Sequence, residues 1–248
     1  MGAVLNKTAY EWNITVSGYD VDMYKRLTLS ALMKYHQEIG EKHLGVFGTD
    51  SNTLTETQKI AFIFTKIGIK IHRLPSLNEK ITLCTWCSEL RGVRFTRNYV
   101  TTDENGNVLT EAKGEVATID LVTRKIIRPK NIVGFESFLY NDTLENGCEY
   151  PEKIDFTATL YENQTRKIRF SDLDYNGHVN NTVYASICMD LLPKEIVKKP
   201  IKSFVINFKN EIIQDELLNL KLNITNNDVF ITGSCDGVEK FSSAINFQ

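Results

Sequence analysis

Cysteine is scarce and odd in number: five in 248 residues, too thinly spread for the disulfide framework of a small secreted domain, so a reducing compartment is expected. No segment approaches the run of about eighteen apolar residues that a membrane helix needs. Met1 to Thr8 lacks a charged start followed by an apolar stretch, and Asn6 stands where a myristoylation signal wants Ser or Thr. These absences predict a cytoplasmic protein with no membrane span. A basic excess is also missing: the formal net charge is -2, which gives no reason to expect nucleic acid and leaves any anionic partner to a local patch. The chain has no Gly-x-Ser-x-Gly elbow, phosphate loop or dinucleotide glycine motif, which removes the common serine-hydrolase and nucleotide routes. Cys84-Thr85-Trp86-Cys87 contains a Cys-x-x-Cys, but residues three apart on a strand point to opposite faces and no second pair completes a zinc set. No metal is expected.

With 42% hydrophobic and 24% charged residues, the chain can build a real core as one large domain or two small ones. An internal repeat favours two. Ser17 to Asp22 aligns with Ser171 to Asn176, and each stretch precedes a helical pattern. Leu29, Leu32, Met33, His36, Ile39 and His43 recur at spacings of three and four in the first half. Val183, Ile187 and Leu191, beside Tyr184, Cys188 and Leu192, do the same in the second, up to Pro193. Both read as core helices.

Period-two alternation follows each helix, at 64–71 and 204–208, with further strands expected at 94–101, 116–121, 220–224 and 229–233. The repeat continues there: Ile69 to Leu74 lies over Ile206 to Glu211, and Asn78 to Leu83 over Asp215 to Leu220. One helix with several antiparallel strands per half predicts an α+β fold with sheet wrapped around helix. From about Pro129 to Gln164 the periodicity fades and Asn, Asp, Glu and Gly gather, as in a connection.

Comparing the copies separates architecture from chemistry. In this alignment His178 faces Tyr24, Asn176 faces Asp22, Asp174 faces Asp20 and Glu211 faces Leu74. If the segment is extended, Asp174, Asn176 and His178 emerge on one face. Asn180, Asn181 or Thr182 can then cap a helix whose first N–H groups suit a developing oxyanion. Glu211, on the neighbouring strand, is the candidate general base. Alone, an Asp-x-Asn before a helix is a capped turn, a strand Glu is solvated and a lone His is structural. Their joint presence in one copy and absence from the other favours a site.

Asp172-Leu173-Asp174-Tyr175-Asn176-Gly177-His178-Val179-Asn180-Asn181 resembles the signature of the acyl-acyl-carrier-protein thioesterases of plants and bacteria. Glu211 falls where that family carries its catalytic Glu, and Trp86 and Thr123-Arg124-Lys125 match features of its first domain. The resemblance implies a tandem hotdog: residues 1–135 an N-terminal hotdog on the substrate side, 136–160 a linker, and 161–248 a C-terminal catalytic hotdog. It implies a catalytic set of Asp174, Asn176, His178 and Glu211, no cofactor, and hydrolysis of fatty acyl-carrier thioesters to end chain elongation. Ile212 departs from the Cys that plant members carry after the catalytic Glu, which argues against a thiol mechanism.

An acidic acyl carrier protein with its bound acyl chain is the expected partner. Basic clusters at Arg124, Lys125, Arg128 and Lys130, or at Lys194, Lys198, Lys199 and Lys202, are candidates to meet it. A monomer of fused hotdogs and a homodimer are both open. The competing readings are an acyl-coenzyme A thioesterase, a hotdog hydratase or dehydratase, and a non-catalytic acyl-binding protein. The hydratase motif carries a Pro and one more residue than Asn176-Gly177-His178, and a pure binder needs no Glu211 and His178 together.

Overall fold

The computed structural model describes residues 3–5, 8–133, 141–154 and 159–248, without the side chains of 3–5, Lys130, Glu162 and Asn163. The start read for a leader (Met1, Gly2, Asn6), linker positions 136–140 and 155–158, and the Lys130 side chain lie outside the described residues.

The first half runs β1 (Ala3–Leu5), β2 (Ala9–Thr15), α1 (Leu29–Gly45), α2 (Ser51–Gln58), β3 (Ile60–Ile71), β4 (Lys80–Arg91), β5 (Arg94–Asp103), β6 (Val108–Asp120) and β7 (Ile126–Ile127). The second runs β8 (Glu162–Lys167), α3 (Val183–Asp190), α4 (Lys194–Val197), β9 (Ile201–Phe208), β10 (Leu217–Thr225), β11 (Asp228–Cys235) and β12 (Val238–Phe247). Thr28 starts α1 by accepting the Ala31 N–H, and the expected stripe is buried from Leu29 through Leu32 and Ile39 to His43. Pro193, expected to close the second helix, instead stands at the start of α4, and α3 has already ended at Asp190.

The strands form one antiparallel sheet in the order β1-β2-β4-β5-β6-β3-β9-β12-β11-β10-β8, with β7 on β6. The halves meet at the β3 and β9 pair, where Ile67 lies opposite Ile206 and Ile69 opposite Phe204. The alternating Leu218, Leu220 and Leu222 of β10, and Val229 and Ile231 of β11, are buried on the inner face. They share one apolar core with Leu32, Ile39 and Leu83 of the first half and Ile187 of α3. This is a double hotdog of α+β class, and α1 packs against α3 across its middle.

Hydrogen bonds correct the alignment of the two helix-approach turns by two residues. Asp22 Oδ1 accepts the N–H groups of Tyr24 and Arg26, and Val21 bridges Leu27. Asp174 Oδ1 accepts those of Asn176 and His178, and Leu173 bridges Val179. Asp174 therefore corresponds to Asp22, Asn176 to Tyr24 and His178 to Arg26. The pairing of Glu211 with Leu74 stands: Asn78 and Asp215, four residues on in each copy, both have positive φ. Likewise the Ser76 N–H donates to Glu79 as the Ile213 N–H donates to Glu216.

Candidate functional site

The segment carrying Asp174, Asn176 and His178 is a tight turn and is not extended. The Gly177 N–H donates to the Asp174 carbonyl at 3.0 Å, and the Asp174 N–H to the His178 carbonyl at 2.8 Å. Gly177 sits at φ +78°, in the left-handed region that glycine enters without a Cβ clash. The Asp174 carboxylate braces this turn through Oδ1, which takes the Asn176 N–H at 2.8 Å and the His178 N–H at 3.4 Å. Asp174 thus holds the segment by the capped-turn chemistry of Asx residues.

His178 is fixed from a second direction. It bridges Ile213, and the Val179 N–H reaches the Ile212 carbonyl at 2.8 Å. Glu211 precedes Ile212, which is fully buried, so the same tie brings carboxylate and imidazole together: His178 Nε2 lies 3.3 Å from Glu211 Oε2. Lys240 Nζ fixes the Glu211 backbone, donating to its carbonyl and to Glu216 Oε1, each at 2.8 Å.

Asp174, Asn176, His178 and Glu211 all line one cavity of about 310 Å³, whose other walls come from both halves, including Glu41, Leu44, Phe64 and Arg97 of the first and Tyr184 and Phe208 of the second. The cavity therefore spans the two copies. The α3 start contributes less than expected. Asn180 takes the Thr182 N–H on its Oδ1 at 2.9 Å and the Val183 N–H on its carbonyl at 2.9 Å, so these two donors are spent on Asn180.

Sequence reasoning assigned Arg124 to a docking patch, whereas its Nη2 contacts both Glu211 oxygens, at 2.8 and 3.0 Å. The only signal for it in the sequence was the Thr123-Arg124-Lys125 match. Burial pushes the Cys84 and Cys87 thiols up to about 12 and about 11.

The family model for the acyl-ACP thioesterase N-terminal domain matches residues 7–133, and that for the C-terminal domain matches residues 157–240. The chain is 23% identical over 241 residues to the palmitoyl-acyl carrier protein thioesterase of Arabidopsis thaliana, covering 93% of this chain and 58% of that protein. It is 22% identical over 214 residues to the dodecanoyl-[acyl-carrier-protein] hydrolase of Cinnamomum camphora, covering 82% and 56%. The chain thus spans less than two thirds of the length of either relative. A solved acyl-ACP thioesterase from Bacteroides thetaiotaomicron has the same fold, with a TM-score of 0.87 at 24% identity over 98% of both chains. So does a 12:0-ACP thioesterase from Umbellularia californica, with a TM-score of 0.85 at 17% identity over 99% of both.

Proposed function

We propose that this chain, which belongs to the acyl-ACP thioesterase family, hydrolyses fatty acyl-carrier-protein thioesters to a free fatty acid and the carrier thiol, ending chain elongation. The observation that carries the reading is the Glu211 carboxylate 3.3 Å from the His178 imidazole on the wall of a cavity built by both halves. Glu211 and His178 take a proton from water as its oxygen adds to the thioester carbonyl. The carbon–sulfur bond then breaks, and the proton passes to the departing thiolate. Asn176, which lines the same cavity, polarises the carbonyl with its amide, and Asp174 keeps Asn176 and His178 in register through the turn. Ile212, buried after Glu211, supplies no thiol, so no acyl-cysteine forms at that position. The chemistry calls for no cofactor.

The division into an N-terminal unit at 1–135, a linker at 136–160 and a catalytic unit at 161–248 belongs to the same proposal. The matches at 7–133 and 157–240 support it. A cytoplasmic site of action is supported by five unpaired cysteines, although the Arabidopsis thaliana relative is described as chloroplastic. No helix among the described residues is long and apolar enough to cross a membrane. The acyl carrier is the proposed partner, and coenzyme A remains the competing carrier.

The test is thiol release from matched acyl-carrier-protein and acyl-coenzyme A substrates, wild type beside Glu211→Gln and His178→Ala. Turnover of the carrier substrate by the wild type, with both folded variants losing most of it, supports the reading. A folded wild type that releases no thiol from any substrate rejects it.

A further inference from the structure

We infer that Arg124 is a positioning residue of this site, a first-half side chain that holds the Glu211 carboxylate in place for His178; the inference rests on the thioesterase reading. Glu211 is half-exposed, with 48% of its side chain accessible, and the Lys240 bond fixes its backbone but does not reach its carboxylate. His178 alone holds it loosely, at 3.3 Å. Arg124 Nη2 bonds both carboxylate oxygens, at 2.8 and 3.0 Å, and these two charge-assisted hydrogen bonds hold the carboxylate head against the swing of its stem.

The turn that presents Arg124 is built for the purpose. Asp120 Oδ1 accepts the Val122 N–H at 2.9 Å and the Thr123 N–H at 2.7 Å, and the Asp120 carbonyl accepts the Arg124 N–H at 2.8 Å. The Thr123 N–H and hydroxyl hold the Asp120 carboxyl below its usual range. Arg124 itself sits at φ +58°, a left-handed conformation uncommon for a residue with a Cβ. The Arg124 side chain is 56% accessible, but its Nη2 is committed to Glu211. The half without a His or Glu in its own turn thus completes the site of the other.

Arg124→Gly removes the side chain at a backbone position glycine favours, so it separates chemistry from folding. On an acyl-N-acetylcysteamine thioester, which carries no carrier protein, kcat should fall about 10- to 100-fold with KM little changed. Millimolar guanidinium should restore part of that loss, and should restore nothing once Glu211→Gln is added. Arg124→Lys, whose single ammonium can meet both oxygens as Nη2 does but from a differently shaped stem, should recover part. Unchanged kcat on the small thioester, with a salt-dependent rise in KM for the carrier substrate alone, would make Arg124 a docking residue and overturn the inference.

A second readout needs no turnover. The ¹⁵N resonance of His178 Nε2 should move on Glu211→Gln, and move less than half as far when Arg124→Gly is already present. Equal movement in both backgrounds overturns the positioning role whether or not the protein cleaves thioesters. Absence of thiol release from the wild type instead rejects the thioesterase reading.

Discussion

Arg26 holds in the first half the place that His178 holds in the second: Arg26 bridges Ser76 as His178 bridges Ile213. The two side chains then diverge. Arg26 Nη2 donates to the Val197 carbonyl at 2.8 Å and Nη1 to those of Lys198 and Lys199 at 3.3 Å, while Nε bonds Asp22 at 2.9 Å. Where one copy sets an imidazole beside a carboxylate, the other closes the end of α4 with a guanidinium, whose charge suits a helix carboxyl terminus.

Arg26→Ala should therefore destabilise the protein by about 2 kcal/mol, the scale of charged hydrogen bonds lost with carbonyls left behind. Activity per folded molecule should be unchanged. Denaturant midpoints beside kcat measure both, and a fall in kcat without a fall in stability would contradict this assignment.

Asp174 offers a test of whether its charge or only its shape is used. An asparagine oxygen can accept the same N–H groups from Asn176 and His178. Asp174→Asn should keep kcat within a few-fold of wild type, and Asp174→Ala should lower it about 10- to 100-fold. Equal and severe losses would show that the charge of its carboxylate is used.

A Cβ added at Gly177 would meet only open space, so substitution there costs only what the φ of +78° imposes. Gly177→Ala should lose about 1–2 kcal/mol, and Gly177→Asn less, because asparagine tolerates the left-handed region. Chemical denaturation of the three proteins decides the order.

His36 sets an acid limit. It is buried against Tyr99, ring centroids 4.3 Å apart, and burial lowers its pKa from 6.5 to about 3. Above about pH 6.5 the imidazole is neutral whether folded or unfolded and contributes no pH dependence. Below that the unfolded chain takes a proton that the folded one refuses, so stability falls with a slope approaching about 1.4 kcal/mol per pH unit. His36→Phe, which keeps a flat ring on Tyr99, should remove that part of the slope between pH 6.5 and pH 5 in urea titrations. An unchanged slope would assign the acid limit to other groups.

The carrier-docking patch follows from the same comparison. Lys198 and Lys199 lend their carbonyls to Arg26, at the turn of the first half, whereas Lys125 adjoins the Arg124 that reaches Glu211. Charge reversal at Lys125 and Arg128 should raise KM for carrier-bound substrate, most strongly at low salt. Reversal at Lys198 and Lys202 should not. The opposite pattern would move docking to the α4 side.

Much of this was legible in the sequence, for identifiable reasons. The α1 stripe is apolar enough to show its period, and the Glu211 hairpin has an unambiguous partner in Leu74 and a matching left-handed position four residues later. The turn register was not legible. Acidic residues stand two apart in both copies, at Asp20 and Asp22 and at Asp172 and Asp174, and a shift of two still lays one acidic residue over another. Only the carboxylate that accepts the N–H groups of the turn decides between them. Helix α2 escaped because Leu54 is its one buried residue, which leaves no stripe. Strand β12 was hidden by Lys240, Ser242 and Ser243, polar residues that dilute its alternation although both serines are buried. The Arg124 contact with Glu211 was not legible, because nothing local to a basic turn reports that its side chain crosses to the other half.

Gly68 and Val205 lie opposite each other in the middle of the β3 and β9 seam, at equivalent positions of the two copies. In an enzyme assembled from two separate hotdogs such a seam would part on dilution, and the shared cavity would vanish with it. Here one polypeptide carries both sides, so each half meets the other at a high effective concentration set by the tether. Specific activity should then hold constant down to very low enzyme concentration, and each copy has been free to specialise without having to recognise its own twin.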